Sequence, residues 1–113
     1  MATIKSYTDI EQSKKLAEIL PKESADMSGF RNQDGTFNYY GFPYSDAVKD
    51  STSFPVWSLA ALLSVLPESY QLTSNKEGKV QLMLMHQLEK DYYDNPVDAC
   101  VAMIEKLHEL NLL

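Results

Sequence analysis

The chain has 113 residues, of which 44% are hydrophobic and 23% are charged, and its formal net charge is −6. This length fits one domain, and this composition is that of an ordinary globular protein, which excludes disorder of the whole chain. A negatively charged protein lacks the cationic surface that non-specific nucleic-acid binding requires. We therefore expect a single globular domain over residues 1–113 that does not bind nucleic acid.

Three features of the sequence indicate the cellular compartment. The single cysteine, Cys100, allows no internal disulfide. The N-terminal stretch MATIKSYTDIEQ contains no apolar segment of the kind that a secretory signal carries. No run reaches the ~18 apolar residues of a membrane span. We predict a cytoplasmic protein that does not contact a membrane.

The first predicted element is a helix over residues 8–20. Thr8 and Glu11 have the spacing of a capping box, in which each side chain bonds the backbone N–H of the other residue. Pro21 ends the helix, because the residue before a proline is driven out of the helical region. The apolar side of this helix consists of Ile10, Leu16, Ala17 and Leu20.

The next segment predicts a β-hairpin over residues 27–40. Asp34 and Gly35 supply its turn, since glycine adopts positive φ without steric cost. Residues 41–53 contain glycine, proline and several serines and aspartates, which are typical of turns. This composition predicts a loop with one helical turn near residues 46–49.

A second helix is predicted over residues 56–66, entered through Pro55, which suits the first turn of a helix. Its leucines recur at the spacing of one helical face, which we expect to pack into the core. This leucine face consists of Leu59, Leu62, Leu63 and Leu66, and the opposite side of Ser58, Ala60, Ala61, Ser64 and Val65.

Residues 69–88 predict a second hairpin around the turn at 76–78. Apolar residues fall on both sides of the segment from Val80, so we expect a central strand that is covered on both faces or lies beside a dimer partner. A helix over residues 80–90 is the competing interpretation, because methionine, leucine, glutamine and glutamate are good helix formers.

The last element is a helix over residues 96–110, with Asn95 as the cap and Pro96 at its first position. The helical wheel places His108 within its apolar stripe. The other members of that stripe are Val97, Cys100, Val101, Ile104 and Leu107. Together these elements predict an α+β fold, in which an antiparallel sheet of about four strands, from the two hairpins, packs in two layers against three helices.

The sequence contains no recognisable catalytic or metal-binding constellation. His86 and His108 are far apart and belong to no metal-ligand pattern, so we assign no catalytic residue, no metal and no cofactor. Cys100 is predicted to be a buried apolar residue whose pKa the nearby helix N-terminus lowers slightly. This absence favours a non-enzymatic protein.

Aromatic residues are concentrated in one part of the chain. Six of the twelve aromatic residues lie between positions 30 and 44. On a strand, Phe37 and Tyr39 share a face and Tyr40 points the other way. Some of these rings belong to the core, and the others predict a surface that binds another protein. The predicted interaction residues are Phe37, Tyr39, Tyr40, Phe42 and Tyr44.

Three segments, LAEILPKESADM, PVWSLAALLSVLP and DNPVDACVAMIEKLHELNLL, resemble a family of small uncharacterised proteins from gut bacterial genomes. Genes of this family often lie in prophage or other mobile regions. The resemblance covers roughly half of the chain and implies a bacterial, cytoplasmic, accessory role. It implies no activity, cofactor or catalytic residue.

These observations favour a non-enzymatic module that binds an unidentified protein partner, and they leave a homodimer open. One alternative is a small-molecule-binding protein or enzyme that uses His108 or Cys100 in a pocket beside the sheet. A further alternative is a weak mimic of nucleic-acid charge, since residues 89–109 carry −4 of the net charge.

Overall fold

Three α-helices and six short strands follow one another in the part of the chain that the structure, a computed structural model, describes: residues 5–41, 53–66, 70–84, 87–88 and 92–111. The predicted α+β class is confirmed, whereas the predicted helical turn near residues 46–49 lies outside the described residues. The elements are α1 (Ile10–Ile19), β1 (Met27–Arg31), β2 (Phe37–Tyr40), β3 (Ser53–Val56), α2 (Leu59–Ser64), β4 (Tyr70–Ser74), β5 (Val80–Leu84), β6 (Gln87–Leu88) and α3 (Pro96–Glu109).

The N-cap of helix α1 lies one residue later than the sequence predicts. Asp9 is the N-cap and forms the capping box with Gln12, so the predicted box between Thr8 and Glu11 is wrong. Thr8 is instead fully buried, and its hydroxyl accepts a hydrogen bond from the backbone N–H of Trp57 at 3.2 Å. The Thr8 hydroxyl, which the local pattern assigned to the helix cap, thus bonds a residue distant in the chain instead.

The first sheet has the strand order β2-β1-β3, and both of its pairings are antiparallel. The predicted hairpin over residues 27–40 is confirmed and forms strands β1 and β2. Its turn closes between Asn32 and Thr36, where Gly35 has φ of +88°. The second hairpin repeats this turn between Asn75 and Lys79, with φ of +81° at Gly78.

The predicted helix over residues 56–66 is wrong in its first part. Pro55 and Val56 belong to strand β3, and Ser58 is the N-cap of the shorter helix α2. Proline is compatible with an edge strand, and β-branched valine favours extended backbone. Leu62 is fully buried, as the leucine face predicts, but Ala61 on the opposite side is nearly as deeply buried.

The second sheet has the order β4-β5-β6, so the predicted central strand from Val80 is confirmed over Val80–Leu84. Leu82 on this strand is buried in the core. The two predicted hairpins therefore lie in separate sheets and do not join into one four-stranded sheet. Each sheet gains its third strand from a neighbouring segment, β3 or β6.

Helix α3 lies at the centre of the packing, because it contacts α1, α2 and β5. Its predicted start is confirmed: Asn95 accepts the N–H of Asp98 at 2.9 Å, and Pro96 occupies the first position. Its predicted apolar stripe is buried from Val97 to Leu107. Within the described residues, the core consists of Leu16, Leu20, Ala25, Trp57, Ala61, Leu62, Leu82, Val97, Ala99, Cys100, Val101, Met103, Ile104 and Leu107.

A polar network joins the N-terminal ends of α1 and α3. The Asp98 carboxylate accepts hydrogen bonds from Lys5 and from Gln12, each at 2.9 Å, and from Asn95 at 3.0 Å. Burial raises the pKa of Asp98, but these hydrogen bonds and the Lys5 charge outweigh it, so the pKa lies below its ordinary value. The carboxylate is therefore the charged form that the fold stabilises.

Replacing Asp98 with asparagine is expected to lower the free energy of unfolding by about 1 kcal/mol at neutral pH, because a partly exposed ion pair contributes little more. Folding lowers the pKa of Asp98, so its contribution is complete above the unfolded pKa of 3.8 and is lost as the pH falls through the folded value. Urea unfolding of both proteins across this acidic range measures the difference. A wild-type advantage that grows toward acid would contradict the assignment.

Candidate interaction surface

One face of the first sheet carries a row of aromatic side chains. Tyr39 on β2 and Phe54 on β3 lie on either side of Gly29 on β1, because both pair with it across the sheet. Paired residues of antiparallel strands share a face, and so do residues two apart, which adds Phe37 to the same face. Tyr7, from the segment before α1, extends the row beyond Tyr39. We call these four rings the aromatic row.

Each ring of the aromatic row contacts the next at a distance typical of aromatic pairs. The ring centroids of Tyr7 and Tyr39 lie 4.7 Å apart, and those of Tyr39 and Phe54 lie 6.1 Å apart. The Phe37 and Phe54 rings meet edge to face at 6.0 Å. The Arg31 guanidinium lies 5.6 Å from the Phe37 centroid and ends the row. These mutual contacts hold the rings in fixed orientations at modest entropic cost.

The aromatic row is partly buried along its length. Phe37, Tyr39, Phe54 and Tyr7 each keep part of their surface accessible among the described residues. The same face continues to Val56, which lies two residues beyond Phe54 and is fully buried. Apolar surface thus continues from the core onto the outside of the first sheet.

Gly29 allows the end of the Phe54 ring to lie over the middle strand of the sheet. A Cβ atom at this position would meet Cζ of Phe54 at 2.3 Å, closer than any van der Waals contact. Gly29 is itself buried, so the ring covers its backbone. The absence of a side chain on the central strand is what brings the rings of the two outer strands together.

Replacing Gly29 with alanine is expected to displace the Phe54 ring and lower the free energy of unfolding by about 1–3 kcal/mol, the usual cost of overpacking. Urea denaturation of the variant measures this loss. The same substitution in a Phe54→Leu background should cost less, because a smaller side chain leaves room for the added methyl group. Equal losses in both backgrounds would contradict the contact.

The structure brings together two of the five predicted interaction residues. Phe37 and Tyr39 share the aromatic row, as their alternation predicts, whereas Tyr40 lies on the opposite face against Phe30, with ring centroids 5.5 Å apart. Phe42 and Tyr44 lie outside the described residues.

Tyr7 and Phe54 belong to the row but are absent from the sequence-based prediction. They come from segments distant in the chain, and Phe54 lies between the predicted loop over residues 41–53 and the predicted helix over residues 56–66. The signal that could have found Phe54 is the glycine in a strand, which often marks the close approach of another group.

A depression of about 310 Å³ adjoins the Tyr7 end of the aromatic row. It is lined by Lys5, Ser6, Tyr7, Asp9 and Tyr39. Burial, followed by the neighbouring Tyr7 and Asp9, raises the pKa of Tyr39, so its phenol is neutral at physiological pH. The depression therefore offers a phenol hydroxyl and a paired lysine rather than a poised acid or base.

His108 is exposed, so its predicted place within the buried stripe of α3 is wrong. The buried stripe ends at Leu107, and the residues that follow it, 108–111, are all exposed. His108 borders an open depression of about 380 Å³ together with charged residues of α1 and α3. Its other lining residues are Lys15, Glu18, Ile19, Glu105 and Glu109.

Cys100 is fully buried, as predicted, but the predicted slight lowering of its pKa is wrong. Burial raises the pKa of the Cys100 thiol to about 12. Desolvation of the thiolate outweighs the field of the helix N-terminus. The thiol is therefore uncharged near neutral pH, and a thiolate nucleophile at this position is unfavourable.

The described residues offer no group of three or more histidine, cysteine, aspartate or glutamate side chains that could hold a metal ion. His86 lies outside these residues. Of the helices in the described ranges, none is long and apolar enough to cross a membrane. The acidic C-terminal segment is partly neutralised, since Asp98 pairs with Lys5 and Asp94 pairs with Lys79.

Comparison with protein-family models, with curated proteins and with solved structures finds no match for this chain. The resemblance to small gut bacterial proteins therefore stays a prediction.

Proposed function

We propose that this protein is a non-enzymatic interaction module that binds another protein through the aromatic row. The observation that carries this proposal is the continuous set of ring contacts from Tyr7 through Tyr39 and Phe54 to Phe37 on one sheet face. Tyrosine is among the residues that most often dominate protein–protein binding energy, and phenylalanine is also enriched in interfaces.

The surroundings of the row favour a protein partner over a nucleic acid. Stacking on bases needs neighbouring positive charge, and among the described residues Arg31 lies at one end of the row and Lys5 beside the other. Lys5 is paired with Asp9 and Asp98, which leaves little net charge to attract a phosphate backbone. Aromatic rings beside polar groups suit a mixed protein surface instead.

The alternative of an enzyme or small-molecule binder has weaker support. The buried thiol of Cys100 lacks the accessible, low-pKa environment of a nucleophile. His108 lies on the charged rim of an open depression, which gives a substrate little enclosure. The mimicry of nucleic-acid charge is also less favoured, because Asp94 and Asp98 are engaged in ion pairs.

The proposal is tested by comparing Tyr39→Ala with Tyr40→Ala in affinity capture from the native host. The two tyrosines are neighbours on one strand, but only Tyr39 belongs to the aromatic row, so Tyr40→Ala is the matched control. We expect proteins that co-purify with the wild type to be depleted at least about tenfold by Tyr39→Ala, since a central hot-spot residue contributes about 1.4 kcal/mol or more.

The control should retain the same partners at wild-type levels. Circular dichroism of both variants verifies that the fold is intact. If Tyr39→Ala keeps every specific partner, or if Tyr40→Ala alone loses them, the aromatic row is not the binding surface.

A further inference from the structure

The outer strand β2 directs some of its backbone groups away from the sheet. The Asn32 N–H donates to the Thr36 carbonyl at 2.8 Å, and in an antiparallel ladder such bonded pairs recur at every second residue. The even-numbered residues of β2 therefore bond to β1, whereas Phe37 and Tyr39 direct their N–H and C=O groups outward. Of the residues that the structure describes, none pairs with β2 on that side.

This edge lacks the features that usually prevent strands of different molecules from pairing. Edge strands are commonly protected by charged side chains, proline or a β-bulge. Strand β2 has the sequence FNYY, which contains no charge and no proline, and its pairing with β1 is regular. Asparagine and aromatic side chains on such an edge leave its backbone available for a further strand.

We propose that β2 pairs antiparallel with β2 of a second copy of this chain, about a two-fold axis that passes between the two Asn38 residues. In this register Phe37 faces the partner's Tyr39, and Tyr39 faces the partner's Phe37. Every outward N–H and C=O of these residues then meets a complementary group, so the edge is self-complementary as an isologous interface requires. Favourable aromatic pairs form across the axis.

The paired sheets form one six-stranded sheet, and the two aromatic rows meet side by side on its face. The interface is a short ladder of three residue pairs centred on Asn38, so we expect a dissociation constant on the order of tens of micromolar, as for small transient interfaces. Each copy carries −6, so added salt should strengthen the dimer by screening the repulsion. This dimer does not depend on the proposed protein partner.

Sedimentation equilibrium of the purified full chain tests the dimer. We expect the wild type to approach twice 12.8 kDa at high micromolar concentration, and Asn38→Lys to remain a monomer because it places two ammonium groups at the axis. Asn38 is exposed, so this variant should keep its fold. The control Gln71→Lys, at an exposed position on the outer strand β4, should dimerise like the wild type.

Engineered cysteines test the register. In the proposed pairing the two Asn38 residues form a non-hydrogen-bonded pair with Cα atoms about 4.5 Å apart, within the range of a disulfide. Asn38→Cys should therefore form a disulfide-linked dimer under mild oxidation. Thr36→Cys should form no such dimer. In the proposed register Thr36 lies opposite the partner's Tyr40, so the two Thr36 positions are four residues apart along the ladder, about 13 Å.

The native Cys100 is buried and should not react in either variant. A wild type that stays monomeric throughout this concentration range overturns the dimer. Equal dimerisation of Asn38→Lys and wild type places any dimer elsewhere, and equal cross-linking of the two cysteine variants overturns the register.

Discussion

Replacing Trp57 with alanine is expected to lower the free energy of unfolding by about 3–5 kcal/mol, the range for large aromatic residues removed from a core. Trp57 is fully buried between β3 and α2, and its indole N–H donates to the Ser24 hydroxyl at 2.9 Å. The substitution leaves a cavity and removes that hydrogen bond. Trp57 is the single tryptophan of the chain, so unfolding should be followed by circular dichroism.

The control for this prediction is Tyr92→Ala, which removes an aromatic ring that is 48% exposed. A substitution at such a surface position should change the free energy of unfolding by less than about 1 kcal/mol. If both variants lose the same amount, Trp57 is not the packing centre that its burial indicates.

Replacing Ile104 with alanine is expected to lower the free energy of unfolding by about 2–5 kcal/mol. Ile104 is fully buried on α3, the helix that contacts α1, α2 and β5. A cavity at this position weakens the packing of several elements at once, and protein interiors collapse only partly around such a gap. Urea denaturation measures the loss.

His108→Ala is the matched control on the same helix, one turn further along. Its side chain is exposed, so the variant should differ from the wild type by less than about 0.5 kcal/mol. A loss at His108 comparable to that at Ile104 would restore the interpretation of this histidine as part of the apolar stripe.

The elements that could be predicted from the sequence are those with local signals at their ends. Asn95 and Pro96 start α3 where the cap predicts, because a cap bonds only residues within its own first turn. The two hairpins close at Gly35 and Gly78, where positive φ favours glycine.

Errors arose where a distant segment decided the local structure. Val56 fits both a helical stripe and a strand, and its pairing with Met27 on β1 selects the strand. Thr8 has the chemistry of a cap, but it bonds Ser13 and Trp57 instead. The helical wheel placed His108 on the apolar side of α3, yet periodicity does not predict that burial along this side ends at Leu107.

Only the part of the candidate site that lies on a single strand was predictable from the sequence. Alternation along one strand placed Phe37 and Tyr39 on a common face and Tyr40 on the other. Tyr7 and Phe54 reach that face through pairings with remote segments, which no local pattern of the chain describes.

Photo-cross-linking in the native host tests the central claim most directly, because it reports which face of the first sheet touches a partner. The photoreactive residue p-benzoylphenylalanine would replace Phe37 in one variant and Tyr40 in another, two aromatic positions on opposite faces of β2. We predict a covalent adduct with a protein other than this chain from position 37 and none from position 40. An adduct from position 40 alone, or from neither position, would contradict the aromatic row as the binding surface.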